Sequence, residues 1–393
     1  GYNLKITDMQ AACALAQRGA EVTVLERAGA LREVGAGLQI SPNAVRVLAA
    51  LGLWERFRAI SVASKRVELR DSVGRQVARL DLARHRPKDH FRMVHRARLV
   101  AMLEQAAREA GVRIELDHEV GDLPEVPLLI GADGVKSRVR PALNGAEAPF
   151  FTGQTAWRAL IPADADAPGV AQVFMGPGRH LVSYPLGAGL RNIVAVVERP
   201  DWHDEGWSLP GDPADLRAAF ARFGGPVPDW LAQVESVGIW GLFRHPVAAH
   251  WQDGRRALIG DAAHPTLPFM AQGAVMAIED AWVLAACLDA DADRAAALCP
   301  LIVTCTPASG VVLRSAPHPD TFLAAVGAFT PQMVELDAAL CRAFAANGQI
   351  LVDTADAAHE AGDLLQAGIN VTALPTLASL ERAHWRPGPG PVL

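Results

Sequence analysis

Several things are scarce in this chain, and each scarcity removes a class of function. It has no run of about 18 consecutive apolar residues, so no membrane-spanning helix is expected. Near the N-terminus no stretch joins a basic region, an apolar core and a small-residue cleavage site, so no signal peptide is read. There are five cysteines. Cys13, Cys287, Cys299, Cys305 and Cys341 are odd in number and widely spaced, which suits neither a disulfide scaffold nor a zinc site. Positive charge is not in excess: 37 Lys and Arg against 43 Asp and Glu give a net charge of −6. That balance argues against a nucleic-acid partner. What is present is apolar material, half of the 393 residues, with 20% charged. This suffices for two or three domains with a large core. A cytoplasmic enzyme is the expectation.

A further scarcity is local: no glycine stands between Gly1 and Gly19. Residues 11–18, AACALAQR, read as an alanine-rich helix ended by Gly19. Glu21 to Glu26, EVTVLE, then reads as a buried strand rich in β-branched residues. A helix, a Gly turn and a strand ending in an acid form the second half of a Rossmann unit, in which the acid binds a ribose hydroxyl. The first half should carry G-x-G-x-x-G, so that backbone can approach a pyrophosphate. Here it reads Ile6-Thr7-Asp8-Met9-Gln10. Asp8 would cap the helix there, with its carboxylate where a pyrophosphate should sit.

Downstream, residues 35–54 read as a Gly-rich turn and a helix with Pro42 in its first turn and Gly52 near its end. Residues 95–112 read as an amphipathic helix with Leu99, Met102, Leu103 and Ala106 on one face. LLIGADG, within 127–140, reads as a buried strand turning sharply into a helix. Between 151 and 250 come short alternating strands, many tryptophans and Gly/Pro turns, the pattern of an antiparallel sheet. Residues 254–285 (GRRALIGDAAHPTLPFMAQGAVMAIEDAWVLA) return to strand, Gly260-Asp261 turn, Pro-rich loop and a helix starting near Gln272-Gly273-Ala274. Asp261 at a strand end can accept from sugar or ribityl hydroxyls. The loop and helix N-terminus offer N–H groups to an electron-rich ring edge.

These pieces, together with VTVLER (22–27), VGAGLQISPNAVRVL (34–48), HRARL (95–99), LLIGADGVKSRVR (128–140), TAWRALIP (155–162) and GRHLVSYPL (178–186), resemble the group A flavoprotein monooxygenases, the salicylate and hydroxybenzoate hydroxylase family, over about residues 11–297. The resemblance implies an α/β fold. A Rossmann-like FAD-binding domain with a mainly parallel sheet would be interrupted by an antiparallel-sheet substrate domain, with an α/β tail added. The expected divisions are 1–150 and 251–298 for the FAD domain, 151–250 for the substrate domain and 299–393 for the tail. By resemblance, Glu26 would bind the adenosine ribose, and Ala36 and Gly37 would line the flavin. Arg96 would reach the FAD, unless it is a solvated surface arginine. Asp133 and Gly134 would pack near the pyrophosphate and help NADH or NADPH engage. Gly260 and Asp261 would hold the ribityl chain or pyrophosphate, and Pro268, Gln272, Gly273 and Ala274 would flank the isoalloxazine. His264 reads as structural, and Trp202, Trp207, Trp230, Trp240 and Trp251 read as packing.

On the substrate side, His180, Val182 and Tyr184 share one strand face because side chains alternate. A base and a phenol there could deprotonate and orient a phenol, and Arg158 could meet a carboxylate bidentately. The alternative is a surface His beside a core Tyr. The activity implied is hydroxylation of a phenolic acid by FAD, NAD(P)H and O2. A homodimer without nucleic-acid or membrane partners is the expected form.

The chain departs from this family in three places. The glycine loop is missing, residues 121–127 leave room only for a turn in place of a hairpin meander, and the family's C-terminal helices do not appear after about Leu298. Residues 299–375, through AVGAFTPQMVELD and VDTADAAHEAGDLL, instead resemble the ornithine cyclodeaminase and mu-crystallin family, with Phe329 where many relatives have Asp. That tail is expected to pack poorly, its strands having evolved against other neighbours. Two alternatives therefore stand beside the hydroxylase. One is a chimera or remnant that binds FAD weakly or not at all; the other is an NAD(P)-dependent cyclic-imine reductase.

Overall fold

The computed structural model describes residues 4–31, 37–202, 209–290, 301–304, 311, 322–325, 330–376 and 379. Ala36, Trp207, Cys299, Cys305 and Phe329 lie outside the described residues. Contacts divide the chain into two compact units, one of residues 1–245 with 256–285, the other of 246–255 with 286–393.

The first unit opens on α1 (Leu4–Ala16) and β1 (Thr23–Leu25). Helix α1 begins seven residues before the expected alanine-rich stretch, so Asp8 lies inside it and does not cap it. The Asp8 carboxylate instead accepts the N–H of Met9. Gly19, at φ +87°, ends the helix: its N–H and that of Ala20 return to Ala16 and Leu15 carbonyls, a left-handed cap that glycine adopts without strain. Then come β2 (Gly37–Ile40), α2 (Pro42–Ala50), α3 (Trp54–Ile60), β3 (Ser61–Ala63) and a hairpin of β4 (Arg66–Asp71) and β5 (Gln76–Asp81). After α4 (Leu82–His85), β6 (Arg92–His95) runs straight into α5 (Arg96–Glu109). Leu99, Met102, Leu103 and Ala106 of α5 are all buried, as their helical spacing predicts. β7 (Arg113–Glu115), β8 (Leu129–Gly131) and α6 (Arg140–Asn144) complete the first stretch.

Next come β9 (Phe150–Pro162), β10 (Val170–Gly176), β11 (Arg179–Gly187), β12 (Leu190–Glu198), β13 (Leu209–Gly211), α7 (Pro213–Ala219), α8 (Val227–Ala232) and β14 (Val237–Arg244). β15 (Arg256–Leu258) then pairs parallel with β8, Ala257 opposite Ile130. The antiparallel strands are thus inserted between two paired strands of the nucleotide-binding part. A second parallel pair joins β1 to β7. The large sheet has the order β13-β14-β9-β12-β11-β10-β4-β5, and β10 pairs parallel with β4. The hairpin from residues 66–81 therefore belongs to the antiparallel sheet, which a division at residue 150 misses. Buried Glu68, bonded to Arg66, Arg70 and Gln172, ties it in.

Alternation sorts the two faces of this sheet. Trp157, Ala159, Leu181, Ile193 and Ala195 pack with Leu216, Phe220, Val227 and Leu231 from the α7–α8 segment. Each such buried side chain larger than alanine contributes roughly 1.5–3 kcal/mol. The next residues along each strand, Arg158, His180, Val182, Tyr184 and Val194, point the other way and carry the site. The long helix α9 (Gly273–Ala290) follows a Pro-rich loop.

In the second unit β16 (Leu301–Thr304) and β17 (Phe322–Ala325) form a parallel pair, followed by α10 (Ala338–Asn347), α11 (Ala357–Glu360) and α12 (Gly362–Gln366). The strand expected at residue 350 shrinks to one bridge between Val352 and Thr376. Contrary to the expectation of loose packing, Leu336, Leu340, Cys341, Phe344, Ile350 and Leu364 form a core of their own. Asp363, buried, accepts the N–H groups of Glu335 and Leu336 at 2.6 and 2.8 Å.

Candidate active site

Two parallel strands end side by side, and each delivers an aspartate in the turn that follows. After β8, Asp133 opens a single 3₁₀ turn (Gly134–Lys136). One of its oxygens accepts the Arg138 N–H at 2.6 Å, while Oδ1 is buried and accepts nothing among the described residues. After β15, Gly260 at φ +59° starts a second 3₁₀ turn that holds Asp261, 4% exposed. Its Oδ2 also lacks a hydrogen-bond partner among the described residues. Burial pushes the Asp261 carboxyl up to about 6, against the pull of His264 and Arg96. The Arg140 guanidinium links the two turns by donating to the Ala262 carbonyl at 3.1 Å.

Helix α9 anchors the second turn. Asp280 accepts the Gly260 N–H at 2.7 Å and meets His264 Nε2 at 2.5 Å. Burial lowers the His264 pKa, but the Asp280 carboxylate outweighs it and holds the imidazole above its ordinary value. His264 is therefore a clamp between loop and helix.

Beyond these turns lies a cavity of about 270 Å³. It brings together eight of the expected residues: Gly37, Arg96, Arg158, His180, Tyr184, Pro268, Gly273 and Ala274. Arg96 is the first residue of α5 and is 2% exposed, so it is no solvated surface arginine. Tyr184 is 4% exposed, and burial pushes its phenol up to about 12, with Arg158 pulling the other way. Burial also lowers the His180 pKa, which keeps the imidazole neutral near neutral pH. The Arg158 guanidinium lies 5.1 Å from the centroid of the Trp240 ring, in cation–π range. Trp240 is 2% exposed and packs with Ala156, Val196 and Leu242, as expected of a packing residue.

Gly37 shows why glycine is needed where β2 meets the sheet. Its N–H donates to Asn192 Oδ1 at 2.9 Å. A Cβ there would stand 2.7 Å from Asn192 and Tyr184 side-chain carbons. The remaining expected residues that are described line no part of this cavity. Glu26 follows β1 and accepts the Ala28 N–H at 2.7 Å. Gln272 precedes α9, its side chain 3.4 Å from Ser41 Oγ. Thr7, on α1, fills the space a Gly260 side chain would occupy, with Oγ1 2.9 Å from that position.

Asn192, Phe269 and Asp280 were missed by sequence reasoning. Asn192 could have been found, since it faces the same way as Tyr184, its register partner. Phe269 and Asp280 sit inside the quoted motif without a chemical signature of their own.

The chain matches the family described as FAD binding domain over residues 7–126 and 125–297. It is 35% identical over 318 residues to 3-amino-4-hydroxybenzoate 2-monooxygenase of Streptomyces platensis, covering 75% of this chain and 80% of that one. It is 33% identical over 320 residues to 3-hydroxybenzoate 6-hydroxylase 1 of Aquipseudomonas alcaligenes, covering 75% and 81%. The chain belongs to the FAD-dependent aromatic monooxygenases. A salicylate hydroxylase substrate complex superposes with a TM-score of 0.62 at 26% identity, covering 74% of this chain and 79% of that one. A Klebsiella pneumoniae protein complexed with FAD and uric acid gives 0.64 at 28%, with the same coverage. The likeness of the tail to the ornithine cyclodeaminase and mu-crystallin family is not borne out, and the family match ends at residue 297. Among the described residues no helix is long and apolar enough to cross a membrane, and no His/Cys/Asp/Glu cluster could hold a metal.

The donor set fits a flavin nucleotide. Two buried carboxylate oxygens without donors would each cost roughly 1–3 kcal/mol. Both lie beyond the carboxyl ends of parallel strands, where nucleotides bind in such sheets. Sugar and ribityl hydroxyls are donors of the right kind.

Proposed function

We propose that the chain hydroxylates a phenolic aromatic acid, with NAD(P)H as electron donor and O2 as co-substrate. The single observation that carries this reading is the placement of Arg158, His180 and Tyr184 on one wall of a cavity whose other wall is Gly37, Pro268 and the start of α9. FAD, when bound, supplies the oxygen-activating redox chemistry. It would be held by Glu26, Arg96, Asp133, Gly134, Gly260 and Asp261, with Gly37, Pro268, Gln272, Gly273 and Ala274 beside its ring.

The protein's own part is positioning and proton control. Arg158, its guanidinium resting against Trp240, offers a fork to the substrate carboxylate. Val173, Val182 and Val194 provide an apolar floor that keeps water from the ring. His180, neutral through burial, accepts the phenolic proton at an imidazole nitrogen and makes the ring electron-rich. Tyr184, protonated at any physiological pH, donates from its hydroxyl and orients the substrate oxygen.

A cytoplasmic setting, where NAD(P)H is supplied and buried thiols such as Cys13 persist, and a homodimer as working form belong to the same proposal. NAD(P)H oxidation should rise when monohydroxybenzoates are added to the FAD-loaded protein, with hydroxylated product found by mass spectrometry. Absence of any aromatic acid that stimulates oxidation would refute it. One observation favours a second reading, weakened cofactor binding: α1 brings Thr7 against Gly260, where the family has a glycine loop. Retention of FAD through gel filtration decides between the two.

A further inference from the structure

The sheet face that carries His180 does not stop at the aromatic cavity. Register places its side chains in rows. Arg158, Val194, Val182 and Val173 form one row, and Ala156, Val196, His180 and Met175 the next. Beyond these, Gln154 stands opposite Glu198, and each row is about 6.6 Å further along the strands. This outer row borders a second cavity of about 370 Å³, whose polar rim on this face is Gln154 and Glu198. Gly178, in the turn between β10 and β11, borders it beside Glu198 and brings no side chain. The inner and outer cavities share Val173, His180 and Val196.

A pair of rings stands at the wall of the inner cavity. Phe269, in the loop before α9, lies with its centroid 5.8 Å from that of His180, at an interplanar angle of 59°. It lines the inner cavity but not the outer one. Although apolar, it is 46% exposed, so core packing does not account for its position. The loop that carries it ends in Ala271, a non-glycine residue held at φ +53°. Such a conformation is uncommon for residues bearing a Cβ.

We propose that Phe269 is a specificity-determining side chain: with His180 it closes the inner aromatic subsite against an outer polar subsite, and so restricts the site to single-ring acids. The outer subsite has the chemistry to take a polar group, such as an amide, hydroxyl or amine, at the far end of a longer aromatic acid. Gln154 and Glu198 would accept its hydrogen bonds, and Gln154 would donate to it. The inference rests on the reading of the inner cavity as an aromatic-acid site.

The test is calorimetric titration of the FAD-loaded protein with a one-ring probe, 3-hydroxybenzoate, and a two-ring probe, 4′-hydroxybiphenyl-3-carboxylate. The parent should bind the one-ring acid at least about tenfold more tightly. In Phe269→Ala the ratio of the two dissociation constants should shift about tenfold or more toward the two-ring acid, and in Phe269→Leu by less. Adding Glu198→Gln and Gln154→Ala to Phe269→Ala should reverse part of that shift. A ratio unchanged in Phe269→Ala, with one-ring binding retained, overturns the role of Phe269 and leaves the aromatic-acid reading standing. A parent that binds both probes equally overturns the closure. A parent that binds neither overturns both readings.

Discussion

Replacing Asp261 with Asn should stabilise the protein without its cofactor while weakening its hold on FAD. The carboxyl is 4% exposed and raised by burial from 3.8 to about 6. A folded-state value above the unfolded one means that the native chain binds the proton more tightly, so ionisation costs stability as pH rises from about 4 through 6. At 1.36 kcal/mol per pH unit, the cost at pH 7.5 is on the order of 3 kcal/mol and at pH 5 about half of that. Asn carries no charge and escapes this cost. For a unit of this size, the apoprotein variant should therefore melt about 5 °C higher than the parent at pH 7.5, with the gap narrowing at pH 5. Differential scanning fluorimetry at both pH values reads this directly. FAD retention should move in the opposite direction, falling about tenfold, because an amide offers a poorer acceptor to a hydroxyl than a carboxylate does. A variant no more stable than the parent at pH 7.5, or a difference independent of pH, would refute the reasoning.

Gly37→Ala places a methyl 2.7 Å from Asn192 and Tyr184 carbons. It should cost about 1–3 kcal/mol in urea denaturation and lower affinity for aromatic acids, and an unperturbed midpoint would contradict the packing. His180 has a lowered pKa, so kcat/KM should fall on acidification only below the ordinary histidine value. His180→Gln should remove that limb and reduce turnover about a hundredfold. A limb that persists in the variant would assign it elsewhere. Asp8→Asn removes a negative charge from the helix beside the expected pyrophosphate, and FAD should bind about fivefold more tightly at low salt. An unchanged affinity would show that the pyrophosphate does not come near α1.

The parts of the fold that were legible are those whose signal is local. Period-two alternation in HLVSYPL gave His180 and Tyr184 one face, and the structure puts both in one cavity. The Gly-Asp string gave Asp261 at a strand end, with a helix after the loop. Non-local facts were hidden. Nothing in residues 66–81 says that their hairpin joins a sheet made mostly of residues 150–244, since β4 pairs with β10 across about a hundred positions. The start of α1 was misjudged because Thr7 and Asp8 favour helix caps in isolation. In the chain Thr7 is buried against Gly260, and tertiary packing overrides propensity. Asp280 reads as an ordinary helix acid until its contact with the Gly260 N–H is seen.

The most direct measurement is the visible absorption spectrum of the purified protein after incubation with excess FAD and removal of free cofactor. Asp133, Asp261 and Arg96 are expected to retain flavin bands at close to one per chain, even with ITDMQ in place of the glycine loop. A protein that emerges colourless, with FAD lost at micromolar concentration, would contradict the assignment of this cavity to a flavin and leave only the ancestry.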